Sequence, residues 1–188
     1  TPIKSSAASD VYKRQDMEKW NLYDEDRQIT TNIIERGQKC PGKLCRLSVH
    51  VCIFNKKGEM LIQQRSKTKK SKPNMWDLTL GGCVRAGETS KQAVQRELFE
   101  ELGIKYDFSD ERAYFTINFD NGFDDYYLIE KAISLKKIKF IDEEVQNVKW
   151  ASEKEILMML ENGEFIEYYP SLISLLFEMR YGQRGAIR

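Results

Sequence analysis

The chain has 188 residues, 41% of them hydrophobic, with 30 Lys and Arg against 29 Asp and Glu and a single histidine. That length and apolar content suit one domain with a proper core, and the near-zero net charge gives no steering of the whole chain toward nucleic acid or an anionic membrane. No apolar run approaches the roughly 18 residues of a membrane span and no signal-peptide core is present, so neither a membrane protein nor a secreted one is expected.

Residues 1–15 are small and polar without periodicity and are expected to be a disordered leader or a non-native scar, with a single domain over 16–183 and a loose tail at 184–188. From Glu18 to Glu35 the pattern is that of a hairpin, with Trp20, Leu22 and Tyr23 before the Asp24-Glu25-Asp26 turn and Ile29, Ile33 and Ile34 after it. Cys40, Cys45, Cys52 and Cys83 fit a reducing compartment, which predicts a cytoplasmic protein. Cys40 and Cys45 have no second metal-binding pair, so no zinc site is expected. Leu47, Val49, Val51 and Ile53 alternate in RLSVHVCIF, a strand with one buried face and His50 on the other. Asn55-Lys56-Lys57-Gly58 turns the chain into a second strand beginning at Met60.

A basic loop follows, with Arg65, Lys67, Lys69, Lys70 and Lys72 before Pro73. Its position ahead of Trp76-Asp77 and Gly81-Gly82 makes Arg65, Lys72 and Trp76 candidates for substrate contact. Further strands are expected over Ala113–Phe119, Tyr126–Ile133 and Val148–Ala151. Ser152-Glu153-Lys154-Glu155 is a capping box opening a helix to about Asn162, and Pro170 starts a last helix through Met179. Strands with one inserted helix and later helices imply an α+β or α/β/α sandwich.

The most specific segment is GCVRAGETSKQAVQRELFEELGI, Gly82 to Ile104. Thr89 and Gln92 form a capping box, Gly103 is the expected stop, and Val94, Leu98 and Leu102 recur on one apolar stripe. Glu97, Glu100 and Glu101 stand at i, i+3 and i+4, so three carboxylates crowd a neighbouring face of the same helix. Like charges at that spacing repel. A hard divalent cation relieves the repulsion, and Mg²⁺ held by a few carboxylates and substrate phosphates is the usual arrangement.

Written as a pattern the segment is G-x5-E-x7-R-E-L-x-E-E-x-G-I, which is identical to the signature of the Nudix hydrolases. Its seven fixed letters arise by chance at a given start on the order of once in 10⁸. The resemblance implies a sandwich with a mixed β-sheet between helices, and a hydrolase of the diphosphate bond in a nucleoside diphosphate linked to another group. By position it makes Glu97, Glu100 and Glu101 metal ligands with the carbonyl of Gly82, for Mg²⁺ or Mn²⁺ as substitute. It makes Glu97 a candidate base, and Glu88 with Arg96 an interior ion pair that steadies the loop. In many relatives a later glutamate joins the site; Glu143 or Glu144 stands where it would come, and Glu144 is the preferred candidate. The implied partner is a small-molecule diphosphate, with no nucleic acid and no membrane; a homodimer stays open.

KWNLYDEDRQ, RLSVHVCIFNKKGEMLIQQRS and NMWDLTLGG also resemble the branch that includes isopentenyl diphosphate isomerases. The cysteine that isomerisation needs falls on Gly81 here, one metal-binding histidine falls on Cys83, and another falls near Arg46. The hydrolytic set, by contrast, is complete. A hydrolase from the isomerase-like branch is therefore expected, with an isomerase-like enzyme or a non-catalytic nucleotide-sensing module as alternatives.

Overall fold

The computed structural model describes residues 18–141 and 143–181; the leader at 1–15 and the tail at 184–188 lie outside the described residues. Strands β1 (Lys19–Tyr23) and β2 (Ile29–Glu35) form the expected antiparallel hairpin. Asp24 closes its turn, accepting from the backbone N–H groups of Asp26 at 3.0 Å and Gln28 at 2.8 Å. Trp20, Leu22 and Ile34 are buried under the hairpin beside Leu44, while Ile29 and Ile33 face solvent.

Strand β3 (Arg46–Phe54) runs through the centre of the main sheet. In chain order the other strands are β4 (Met60–Arg65), β5 (Trp76–Asp77), β6 (Leu80–Cys83), β7 (Phe115–Phe119), β8 (Gly122–Glu130) and β9 (Val145–Ala151). β8 lies parallel to β3 and carries β7 antiparallel beyond it. β6 pairs antiparallel along the other edge of β3, with Val49 opposite Gly82 and His50 opposite Gly81. β4 registers with β3 at Phe54 and Met60, then diverges to pair with β5 and β9. The buried Thr79 spans the opening between them: its hydroxyl accepts from the Ile53 N–H at 3.0 Å and donates to the Leu61 carbonyl.

Among the described residues three α-helices cover this mixed sheet: α1 (Ser90–Leu102) on one face, α2 (Glu153–Glu161) and α3 (Pro170–Met179) on the other. α1 brings Val94, Leu98 and Leu102 against Leu47, Val49, Val51 and Leu80. α2 and α3 bring Ile156, Ile173, Leu176 and Phe177 against Cys52, Phe54, Met60 and Ile62. The architecture is the expected α+β sandwich with helices on both faces. β3 departs from the one-sided strand expected, because helices cover both sides and Cys52 and Phe54 are as buried as Val51 and Ile53. β8 begins at Gly122 rather than Tyr126. The acidic pair Asp124-Asp125 does not end it, because Asp125 is buried among Arg27, Ser90 and Thr116, which supply its hydrogen bonds.

Candidate active site

The glutamate face depends first on how α1 is capped. Thr89 accepts from the Gln92 N–H while the Gln92 side chain returns to the Thr89 N–H, and Gly103 ends the helix in the left-handed region at φ 65°. The start and stop read from sequence are those observed. Glycine is required at the close of this helix because a β-carbon on the left-handed Gly103 would also lie 3.1 Å from the Lys139 carbonyl.

From α1, Glu97 reaches the backbone of β6. A β-carbon on Gly82 would fall 2.5 Å from the Glu97 carboxyl, so only glycine at this strand position lets the carboxylate lie against the main chain. Glu97 is largely buried, and burial pushes its carboxyl up to about 7 against the opposing pull of the Arg96 guanidinium, whose Nη1 lies 2.7 Å away. Glu101 is also buried and accepts from Gln63 Nε2 of β4 at 2.9 Å. Glu100 is the outermost of the three. The Arg85 fork donates to its two oxygens at 3.2 and 3.1 Å, and Arg96 Nη1 donates to it at 3.2 Å. The repulsion expected from three carboxylates on one face is thus relieved by two guanidinium groups and an amide.

Glu88 and Arg96 pair across the loop: Nε and Nη2 of Arg96 donate to the carboxylate at 2.7 and 2.9 Å, and the Arg85 backbone N–H adds a third bond at 3.1 Å. Burial works against the charge on Glu88, but the Arg96 hydrogen bonds outweigh it and hold the carboxyl below its usual range. Arg96 also donates to the Cys83 carbonyl at 3.1 Å, so one side chain ties β6, the loop and α1 together.

The remaining candidates sit on the other side of β4. Arg65 donates to the carbonyls of Ser71 and Lys72 at 2.9 and 3.2 Å and faces Asp77 at 3.5 Å, which closes the basic loop onto β5. Lys72 pairs with Glu167 at 2.8 Å. Trp76 lies in β5 with the Lys149 ammonium over its ring at 4.8 Å. Glu144 stands just before β9, where its carboxylate meets Lys69 and its carbonyl accepts from the Ser66 N–H at 2.7 Å. The structure therefore gathers Gly82, Glu88, Arg96, Glu97, Glu100 and Glu101 around one loop–helix junction. Arg65, Lys72, Trp76 and Glu144 have partners of their own around the 66–77 segment. Sequence reasoning missed Arg85 and Gln63, which hydrogen-bond the glutamates, and Glu18, which anchors Arg85; only Arg85, a cation inside the signature loop, left a local signal.

Among the described residues no three His, Cys, Asp or Glu side chains converge on one centre, because the carboxylates face Arg96, Arg85 and Gln63. The donor set still fits a hard divalent cation. It supplies only oxygen ligands, it includes a buried carboxylate whose charge burial disfavours, and the cradle at Gly82 would be filled by any side chain.

The NUDIX domain family matches residues 45–170 of the chain. A Nudix hydrolase of Listeria innocua is 44% identical over 165 residues, which cover 87% of this chain and 96% of that protein. This chain belongs to the Nudix hydrolase family. The fold agrees with the crystal structure of a Deinococcus radiodurans protein, which superposes with a TM-score of 0.67 at 23% identity over 86% of this chain and 98% of that one. An isopentenyl-diphosphate Delta-isomerase of Pectobacterium atrosepticum is 32% identical over 84 residues, covering 45% of this chain and 46% of that protein.

For this Nudix enzyme the isomerase positions have a structural account. A β-carbon on Gly81 would lie 2.9 Å from His50 Nδ1, and the imidazole is held there by stacking on Tyr126 at 4.7 Å with Tyr168 edge-on at 6.3 Å. A cysteine at 81 and His50 in this position exclude each other. Cys83 lies 3.8 Å from the Ser48 hydroxyl, and burial pushes its thiol up, away from the thiolate a metal would select. Arg46 packs over the rings of Trp20 and Phe119 at 6.0 and 5.5 Å.

Proposed function

We propose that this Nudix hydrolase cleaves the diphosphate bond of a nucleoside diphosphate linked to another group, by attack of water on phosphorus with a divalent cation, Mg²⁺ or in its place Mn²⁺, at the glutamate face. The observation that carries the reading is the packing of the largely buried Glu97 carboxylate against the backbone of Gly82, beside Glu100 and Glu101 on the same helix. Glu97, Glu100, Glu101 and the Gly82 carbonyl would hold the cation, which when bound neutralises charge on the phosphoryl oxygens.

The rest of the chemistry belongs to the chain. Water oxygen forms a bond to one phosphorus, the bridging P–O bond breaks, and its electron pair leaves with the second phosphate. A carboxylate takes the proton released by the water. Glu97, held against the Gly82 backbone at the glutamate face, is the first candidate for that task. Glu144, on the later loop, is the second candidate for the role. Glu88 and Arg96 fix the loop so that Gly82 and Glu97 stay in contact. Arg65, Lys72 and Trp76 are proposed to meet the substrate beyond the reacting phosphates. Dinucleotides, nucleoside diphosphate sugars, oxidised nucleotides and isoprenoid diphosphates all present the required bond.

A panel of these compounds, assayed for release of phosphate or nucleoside monophosphate in ¹⁸O-labelled water, tests the proposal. The expected result is turnover with Mg²⁺, none in excess chelator, and label in a phosphate product. Full activity in chelator would refute the cation assignment, and absence of turnover on every diphosphate in the panel would refute the reaction class.

A further inference from the structure

We propose that Arg85 is a positioning residue that sets the cation affinity of the glutamate face, guarding Glu100 in the cation-free protein and yielding it when a cation binds. The inference rests on the reading of Glu100 as a cation ligand. Arg85 caps both Glu100 oxygens with its fork, at 3.2 and 3.1 Å, so a cation at either oxygen must compete with the guanidinium while the fork is closed. Its third donor, Nε, faces Glu18 at 3.3 Å. Glu18 is buried and is fixed independently by Arg36 at 3.0 Å.

The two arginines at Glu100 are not equivalent. Arg96 is largely buried and is also bound to Glu88 and to the Cys83 carbonyl, so it keeps its place when Glu100 moves. Arg85 is more than a third exposed and stands in the loop just before Gly87, whose φ of 84° marks the turn. With Glu18 as pivot, the fork opens toward solvent. Two conditions then oppose cation entry: the fork must be broken, and a guanidinium charge stays close to a doubly charged ion. Neither effect is large at a half-exposed site, and together they weaken cation binding by about tenfold.

Calorimetric titration of Mg²⁺ into chelator-stripped protein, compared across wild type, Arg85→Gln, Arg85→Lys and Glu100→Gln, tests this without any substrate. Arg85→Gln is expected to bind Mg²⁺ about tenfold tighter, and Arg85→Lys, which keeps a charge but cannot cap both oxygens, to fall between it and wild type. Glu100→Gln is expected to bind at least about tenfold more weakly, as loss of a charged ligand requires. If Glu100→Gln weakens binding but Arg85→Gln leaves it unchanged or lowers it, the guarding role is wrong and the cation site stands. If Glu100→Gln does not alter affinity, Glu100 is no ligand and both readings fall. Should Arg85→Gln not fold, as judged by its melt, Arg85→Lys decides alone: affinity equal to or below wild type overturns the proposal.

Discussion

Substituting Glu97 by glutamine separates catalysis from stability with opposite signs. In the cation-free protein, burial displaces the Glu97 carboxyl from its ordinary 4.5 to about 7, already net of the Arg96 contact. At roughly 1.4 kcal/mol per tenfold change in proton affinity, the ionised form costs the fold about 3 kcal/mol. A carboxyl raised in the folded state binds its proton more tightly there than in the unfolded chain. Stability therefore falls as pH rises from 4.5 toward 7, and the penalty is complete above that. Glutamine has the shape of the protonated acid and no charge to bury. In chelator near pH 8, Glu97→Gln should melt above wild type, by about 6–12 °C at the 2–4 °C per kcal/mol usual for chains of this size. The gap should close as the pH is brought below 5.

With saturating Mg²⁺ most of that gap should close. A ligand at a hundred times its dissociation constant stabilises the wild type by about 2.7 kcal/mol, and a variant lacking one charged donor gains less. Turnover of Glu97→Gln should fall by two orders of magnitude or more, each decade being about 1.4 kcal/mol of barrier. Melts in chelator and in Mg²⁺ at both pH values, beside the rate, give the full comparison. If Glu97→Gln melts below wild type at pH 8 in chelator and keeps its rate, Glu97 is a structural partner of Arg96 and the site reasoning fails.

The other predictions are narrower. Glu88→Gln should lower the stability with or without Mg²⁺, by about 1–3 kcal/mol; because Arg96 holds this carboxyl below its usual range, the loss should be full at neutral pH and shrink as pH drops from the ordinary carboxylate value down through the lowered one, which melts across pH will check. Glu100→Gln should destabilise the chelated protein rather than relieve repulsion, since it breaks the Arg85 fork; a higher melting temperature would contradict the observed pairing. The wild type should not interconvert isopentenyl and dimethylallyl diphosphate in a product assay with Mg²⁺. Gly81→Cys should destabilise the protein without conferring that activity, because His50 Nδ1 holds the space, and isomerase turnover in either protein would overturn the hydrolase assignment.

Helix α1 was legible because each of its decisions is local: a capping box at Thr89, a left-handed glycine at 103 and an apolar stripe between them. The hairpin and the last two helices were legible on the same grounds. β5 and β6 were not, since Asp77 and the Gly81-Gly82 pair have the composition of a loop. What makes β6 a strand is β3 beside it, and its glycines answer to His50 and Glu97 in the layers on either side. Asp124 and Asp125 hid the start of β8 in the same way, because the groups that permit a buried aspartate come from distant segments. The three glutamates could be read from spacing, but not their different surroundings. Gln63 reaches Glu101 across 38 residues and Arg85 reaches Glu18 across 67, and no pattern in the chain announces either.

Those long-range contacts explain why the glutamate face can hold its charges before any cation binds. α1 is fixed near its start by Ser90, which donates to Asp125 at 2.7 Å and meets the Tyr127 hydroxyl at 2.8 Å. Arg27, in the hairpin turn at φ 63°, completes the charge balance of Asp125. Near its end the helix is held by Glu101 on Gln63 of β4. With both ends tied to the sheet, Glu97 cannot leave the Gly82 backbone by tilting the helix, and its charge must be met by Arg96, by a proton or by a cation. Arg96 also serves Glu88 and the Cys83 carbonyl, so its charge is shared, and burial keeps the Glu97 carboxyl raised despite it. A rigid helix with an under-neutralised buried carboxylate favours a small doubly charged ion over a reshaped protein, and this is the physical basis of the proposal that the chemistry sits at Glu97.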